Sequence, residues 1–285
     1  MTAPDVLRYA AFTTDPDGGN PAGIVLDAAG LDDAAMLAVA GEVGYAETAF
    51  VTSGDGGVRG IRYFSPVAEV PFCGHATVAT AVALAEREGP GRIRFATPVG
   101  EVAMQTAEVD GRIVASFTSV EPRVEPMPTE VLAELLELVG LEADALDERH
   151  PPRIAFAGNR HPVLAIADAA AFDAFAFDPS RARALMDEHG WPATITVLHR
   201  LADAADGGLR FEARNIFPVG SIVEDPATGA AAAAVGGYLR ELGAVVAPAR
   251  VVISQGRHVG RPSELVVDIP SVGGIVVSGP AVPIA

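Results

Sequence analysis

His75-Ala76-Thr77-Val78-Ala79-Thr80-Ala81-Val82-Ala83-Leu84-Ala85 carries no formal charge unless His75 is protonated. Gly229 to Leu239 carries none either, and includes five consecutive Ala. A helix with no polar face is buried all round, and Ala and Gly keep its diameter small. Both runs therefore suit a helix threaded through a curled sheet. Strand-like segments surround each one. Before the first come Leu7 to Thr13, Gly23 to Leu26, Ala49 to Thr52 and Gly60 to Phe64; after it come Arg92 to Ala96, Val102 to Gln105 and Arg112 to Phe117. A helix from about Asp32 to Glu42 interrupts them, with Asp32 as its cap and Leu31 placed for a staple contact. Around the second run, strands are expected at Ile154 to Phe156, Val163 to Ile166, Thr194 to Leu198, Gly208 to Ala213, Val251 to Ser254 and Leu265 to Ile269. Helices are expected at Thr129 to Val139, Ala169 to Phe175 and Ser180 to Glu188.

The segment Val120 to Pro128 holds three Pro in seven residues, which suits a connector better than an element interior. It divides the chain into an N-terminal domain, residues 1–119, and a C-terminal domain, residues 120–275. The approaches to the two uncharged helices also match. Arg62-Tyr63-Phe64-Ser65-Pro66-Val67 and Arg214-Asn215-Ile216-Phe217-Pro218-Val219 share Arg, Pro and Val at an interval of 152 residues. The expected fold class is α/β (α+β): two pseudo-symmetric halves, each a curled mixed β-sheet or barrel around a central helix. The plain alternative is two tightly packed core helices in a single α/β domain.

Composition narrows the chemistry. The 285 residues hold 20 basic and 37 acidic side chains, a net charge of −17, and all the basic residues are Arg. With no Lys there is no Schiff-base lysine and no P-loop lysine. One Cys excludes an internal disulfide, a Cys-rich zinc site and any two-thiol mechanism within one chain. The acidic balance argues against nucleic acid as a partner. No apolar stretch approaches the roughly 18 residues of a membrane span. Met1-Thr2-Ala3-Pro4-Asp5 lacks the basic-then-apolar order of a signal peptide, so a soluble, cytoplasmic protein is expected. The six His show no metal-ligand spacing, and there is no Gly-x-Ser-x-Gly elbow. Gly18-Gly19-Asn20-Pro21 reads as a turn, not a dinucleotide fingerprint. No cofactor and no metal is expected.

Chemistry is expected where the two buried helices begin, at Cys73-Gly74-His75-Ala76-Thr77 and Asp225-Pro226-Ala227-Thr228-Gly229-Ala230. Free backbone N–H groups and the positive dipole end there suit a carboxylate. Small residues let an anion approach closely. The plain alternative is that Gly and Thr merely start the helices.

Five motifs give these positions a family resemblance. They are Gly19-Asn20-Pro21-Ala22, Glu47-Thr48-Ala49-Phe50-Val51, Pro71-Phe72-Cys73-Gly74-His75-Ala76-Thr77, Glu224-Asp225-Pro226-Ala227-Thr228-Gly229, and Gln255-Gly256 through Gly260-Arg261-Pro262-Ser263. Together, in this order, they resemble the phenazine-biosynthesis PhzF-like isomerase family. The resemblance implies the diaminopimelate-epimerase-like fold, an active site between the halves, and a homodimer. It also implies that a C-terminal strand at about 276–285 returns to the N-terminal domain. Some enzymes of that fold use two Cys as acid and base. Cys73 resembles the first; the 152-residue interval puts Asp225 at the second, and alignment on Thr228-Gly229 puts Pro226 there. Neither is a thiol.

The resemblance instead gives Glu47 the role of acid and base, moving a proton within a small unsaturated or amino carboxylic acid. A carboxyl shielded from water can have its pKa raised toward neutrality and so serve both roles. His75 is expected neutral at the helix N-terminus, and Asp225 is expected to orient an amino or hydroxyl group. Asn20, Gly74, Thr228, Gly229 and Ala230 are expected substrate contacts, with Ala230 where the family commonly has Ser. Two alternatives stay open: a one-thiol epimerase using Cys73, and a non-catalytic small-acid binding protein.

Overall fold

The computed structural model describes residues 4–205, 207–218 and 222–285. The expectations for Met1 to Ala3 and for Val219 lie outside these. The chain divides into two compact units, the first running to Thr118 and adding Ser278–Ala285, the second being Ser119–Val277.

In unit 1, β1 (Leu7–Ala11) pairs antiparallel with β2 (Asn20–Val25). Helix α1 (Asp33–Val43) then carries the chain to β3 (Glu47–Asp55), parallel to β2. Asp32 caps α1 by accepting from the Ala35 N–H, and Gly44 ends it in the left-handed region at φ 73°. β4 (Val58–Phe64) returns antiparallel to β3 and makes a short hairpin with β5 (Glu69–Val70). Helix α2 (Gly74–Glu88) crosses over to β6 (Arg92–Thr97), parallel to β4. β7 (Gly100–Val109) and β8 (Arg112–Thr118) complete a meander.

Unit 2 follows a similar order, with an added helix after its first strand and two helices where unit 1 has α1. β9 (Arg123–Pro126) pairs with β10 (Arg153–Phe156), with α3 (Thr129–Val139) between them in sequence. β10 is antiparallel to β11 (Arg160–Ile166), and α4 (Ala169–Ala174) and α5 (Pro179–Glu188) lead to β12 (Ile195–Arg200), parallel to β11. β13 (Leu209–Ile216) is antiparallel to β12 and makes a short hairpin with β14 (Glu224–Asp225). Helix α6 (Gly229–Glu241) crosses over to β15 (Ala249–Gln255), parallel to β13, and β16 (Ser263–Ile269) follows antiparallel. The last strand, β17 (Val276–Pro283), pairs with β1 and with β8, closing the ring of unit 1 strands.

The two uncharged runs are the central helices. Residues 75 to 85 of α2 are all buried, and α2 packs against β1, β2, β3, β7 and β8. In unit 2, α6 packs against β9, β10, β11 and β16. Here Gly is required for width: a Cβ on Gly237 would lie 2.5 Å from the Pro122 Cβ, and one on Gly236 2.7 Å from the Ile275 Cγ2.

One expectation is corrected. The Pro-rich segment Val120 to Pro128 is not a bare connector, because Arg123–Pro126 forms β9. Pro122 and Pro126 fall just before the strand and at its last residue, so Val124 and Glu125 remain as N–H donors within it.

Candidate active site

The duplication can be followed residue by residue. Arg62 precedes the Tyr63↔Val70 and Phe64↔Glu69 pairs of the β4–β5 hairpin. Arg214 precedes the Asn215↔Asp225 and Ile216↔Glu224 pairs of β13–β14. Each Arg also holds the Glu of its own hairpin. The Arg62 Nε donates to Glu69 Oε1 at 2.7 Å, and the Arg214 Nε donates to Glu224 Oε1 at 3.2 Å. The connection between the paired strands is three residues longer in unit 2, so the interval grows from 152 to 155 beyond it.

This shift corrects the expected equivalence. Cys73 is the N-cap position of α2, and Thr228 is the N-cap position of α6. Thr228 therefore stands where Cys73 does; Asp225 matches Val70, and Pro226 matches Pro71. By the same registers, Thr48↔Phe64 and Ile195↔Ile216 make Thr194 the counterpart of Glu47.

In unit 1 the structure brings Glu47, Cys73 and His75 together. Glu47 opens β3 opposite Ala22 of β2, while Cys73 and Gly74 open α2. The Glu47 Oε2 lies 3.5 Å from the Cys73 Sγ and 3.5 Å from the His75 Nε2. The Cys73 Sγ lies 3.4 Å from His75 Nδ1 and 3.7 Å from Nε2. The side chains of His75 and Glu47 are 7% and 16% exposed, so the cluster is shielded but reachable. Donor atoms of the three residues all lie within 4.8 Å of one another, a set that can hold a metal ion. Spacing along the sequence missed this, because Glu47 reaches the cluster from a different strand.

His75 is neutral, mainly for a different reason from the one expected. Burial pushes its pKa down to about 4, and a hydrogen bond to the Pro21 carbonyl offsets part of that. Below it, the Thr77 hydroxyl donates to the Cys73 carbonyl at 2.6 Å and meets the Tyr63 hydroxyl at 2.6 Å. Asn20 is buried at the start of β2, opposite Ala11.

In unit 2, Asp225, Thr228 and Gly229 lie together at the start of α6, and Ala230 is its second residue. The Thr228 hydroxyl donates to Asp225 Oδ2 at 2.5 Å. Sequence reading gave Gln255 no role, yet it fastens this turn. Its amide nitrogen donates to the Asp225 carbonyl at 2.6 Å and to Thr228 Oγ1 at 3.0 Å, while its oxygen accepts from the Thr228 N–H. At the place matching Glu47 there is a hydroxyl network instead. Thr194 and Thr196 both donate to Asn215 Oδ1, and the His161 Nδ1–H points at Thr194.

A cavity of about 270 Å³, lined in part by Arg59, Leu84, Arg87 and Glu88, sits at the far end of α2. Two of its charged groups, Arg59 and Glu88, pair with each other at 2.7 Å. The clustered Glu47, Cys73 and His75 lie at the opposite end, at the helix start.

The chain matches, over residues 9–285, the family described as phenazine biosynthesis-like protein, PhzC-PhzF. The trans-2,3-dihydro-3-hydroxyanthranilate isomerase of Pseudomonas fluorescens is 32% identical over 258 residues, covering 89% of this chain and 86% of that protein. A phenazine biosynthesis protein of the PhzF family from Bacillus anthracis shares the structure at a TM-score of 0.85 and 26% identity, over 98% of this chain and 96% of that one. A probable proline racemase from Agrobacterium radiobacter, at TM-score 0.59 and 13% identity, covers 97% of this chain and 90% of its own and shares the fold alone. The fold is thus the diaminopimelate-epimerase-like one.

Proposed function

The chain belongs to the PhzC-PhzF family of phenazine biosynthesis-like proteins and is an isomerase, and we propose that it moves a proton within a small unsaturated or amino carboxylic acid through the carboxyl of Glu47. The observation that carries this reading is the placement of Glu47. Its Oε2 is 3.5 Å from both a thiol and an imidazole, in a site largely shielded from water. His75 is neutral at pH 7, so it adds no positive charge that would hold the carboxyl ionised. The Glu47 carboxylate takes a proton from carbon, and the C–H electron pair moves into the conjugated system. The resulting carboxylic acid exchanges its proton with solvent or keeps it, and delivers a proton to another carbon, so charge and atoms balance without a cofactor.

The N–H groups of Gly74 and His75 at the start of α2 suit a substrate carboxylate, and Asn20 contributes a side-chain amide. In unit 2, Asp225 orients a substrate amino or hydroxyl group, with Thr228, Gly229 and Ala230 as further contacts. A cytoplasmic homodimer that takes a small carboxylic acid, and not nucleic acid, belongs to the same reading. The test is incorporation of deuterium from heavy water during turnover. Wild-type protein should exchange the migrating proton, and Glu47→Gln should fold, bind and exchange nothing. Full exchange in Glu47→Gln sinks the proposal.

A second reading makes Cys73 the partner acid, favoured by its Sγ lying 3.5 Å from Glu47 Oε2. Cys73→Ala separates the two. Turnover within about threefold of wild type fits a glutamate acting alone; a loss of more than about a hundredfold fits a thiol that transfers a proton.

A further inference from the structure

Three different donors meet at the start of α2: a carboxylate oxygen, a thiol sulfur and a ring nitrogen. Their separations are 3.5 Å for Oε2 to Nε2, 3.5 Å for Oε2 to Sγ and 3.7 Å for Sγ to Nε2. Tetrahedral zinc has bonds of roughly 2.0 Å to nitrogen and oxygen and 2.3 Å to sulfur, which sets ligand–ligand edges of about 3.3 to 3.5 Å. The cluster already has the size of one face of that tetrahedron, within a few tenths of an ångström. We propose that Glu47, Cys73 and His75 form a site for a thiophilic divalent cation of the zinc type, and that occupation by that cation switches the isomerase off.

Charge and chemistry agree with the geometry. On binding, the Cys73 S–H proton leaves to solvent as the metal–sulfur bond forms, and no electron is transferred. One thiolate and one carboxylate then balance the two positive charges of the ion, and His75 contributes a neutral ligand. The ring N–H of His75 that donates to the Pro21 carbonyl leaves the other nitrogen with its lone pair, and it fixes the ring as an outer-shell partner does. Sulfur and imidazole select against Mg2+ and Ca2+, which need oxygen ligands. Inhibition follows because the ion takes the Glu47 lone pair that would accept the substrate proton. The inhibition rests on the proton-transfer reading, whereas metal binding at this cluster is measured below without turnover and stands or falls separately from it.

The single Cys makes the experiment direct. Any thiolate-to-metal charge-transfer absorption in this chain reports on Cys73 alone. Titration of the intact protein with Cd2+ as the spectroscopic stand-in for Zn2+ should give such a band, saturating at one ion per chain. Zn2+ should slow modification of Cys73 by a thiol reagent at least tenfold, and EDTA should restore the original rate. Glu47→Gln and His75→Ala should each weaken metal binding at least tenfold, while Mg2+ should do nothing. Absence of the band in wild-type protein overturns the proposal, as does unchanged thiol reactivity at saturating Zn2+. Equal affinity in wild type, Glu47→Gln and His75→Ala also overturns it, because it would mean a lone thiolate binds the ion. A variant that fails to fold leaves the decision with the two wild-type measurements.

Discussion

The starts of α2 and α6 are one frame carrying two chemistries. Register by register, Glu47, Tyr63, Cys73 and His75 of unit 1 are matched in unit 2 by Thr194, Asn215, Thr228 and Ala230. Glu47, Cys73 and His75 carry acid–base groups, while burial pushes the Tyr63 phenol above its ordinary value; the Thr, Asn, Thr and Ala counterparts carry no such group. Unit 2 instead builds hydroxyl and amide networks, with Asn215 accepting from two Thr and Gln255 fastening the Asp225–Thr228 turn. The shared hairpin ion pair is inverted in burial. Arg62 and Glu69 are 28% and 35% exposed, whereas Arg214 and Glu224 are 8% and 7% exposed. The duplicated backbone sets positions, and under the proposed function the side chains give proton chemistry to one half and hydrogen bonding to the other.

The sharpest way to break this comparison is to exchange the consequences of matching positions. Glu47→Gln should lower kcat by about a thousandfold or more if its carboxyl moves the proton. Thr194→Val, the matching substitution, should lower it less than about tenfold. Similar losses in steady-state kinetics at both positions would show that the halves are not divided in this way.

Next comes the ion pair. Arg214 also donates to the carbonyls of Phe172 and Phe175, so its removal strands a buried carboxylate and two buried acceptors. Arg214→Ala should cost about 3 to 5 kcal/mol in urea denaturation. Arg62→Ala should cost below about 1 kcal/mol, because its pair is solvated. Equal losses would mean that burial does not distinguish the two.

Much of the fold was legible in the sequence for one physical reason: the uncharged runs have no solvent face, which left central helices of two curled sheets or packed core helices of a single domain, and the matching approaches favoured the first. The duplication was legible too, but its register was not. The matched Arg, Pro and Val all precede the end of the hairpin connection, where unit 2 carries three extra residues. An interval measured before that point therefore could not locate the partner of Cys73. Glu47 was named through the resemblance of its motif, while its contact with Cys73 and His75 depends on the parallel pairing of β2 and β3, which strand periodicity does not specify. Gln255 stood in a quoted motif without a role, because its partners are 27 and 30 residues away on a turn.

Acid should weaken unit 2 through His161. It is fully buried, and burial pushes its pKa down to about 4 from an ordinary value near 6.5. Between those values the unfolded chain holds the proton and the folded one does not. Stability from this group is thus fully present above about pH 6.5 and is lost as pH falls toward 4. The loss is about 1.4 kcal/mol per pH unit, on the order of 3 kcal/mol in all. His161→Gln should flatten the pH dependence of urea stability by that slope. An unchanged slope would place the titrating group elsewhere.

The smallest effect expected tests helix width. Counting from the helix starts, Gly237 of α6 matches Val82 of α2, so the same frame admits a branched side chain in one half and nothing in the other. Gly to Ala inside a helix normally gains about 1 kcal/mol. At Gly237 the new methyl would meet the Pro122 Cβ at 2.5 Å and its Cγ at 3.0 Å, and a proline ring cannot rotate away. Overpacking of this kind costs about 1 to 3 kcal/mol, so the balance should fall to a net loss of roughly 1 kcal/mol. Pro122→Gly removes both clashing carbons. In a double-mutant cycle, Gly237→Ala should then become neutral or stabilising, with a coupling of at least about 1 kcal/mol. Additive effects would mean that α6 is not held narrow by Pro122, and that the difference from α2 at this level is one of sequence without a packing cause.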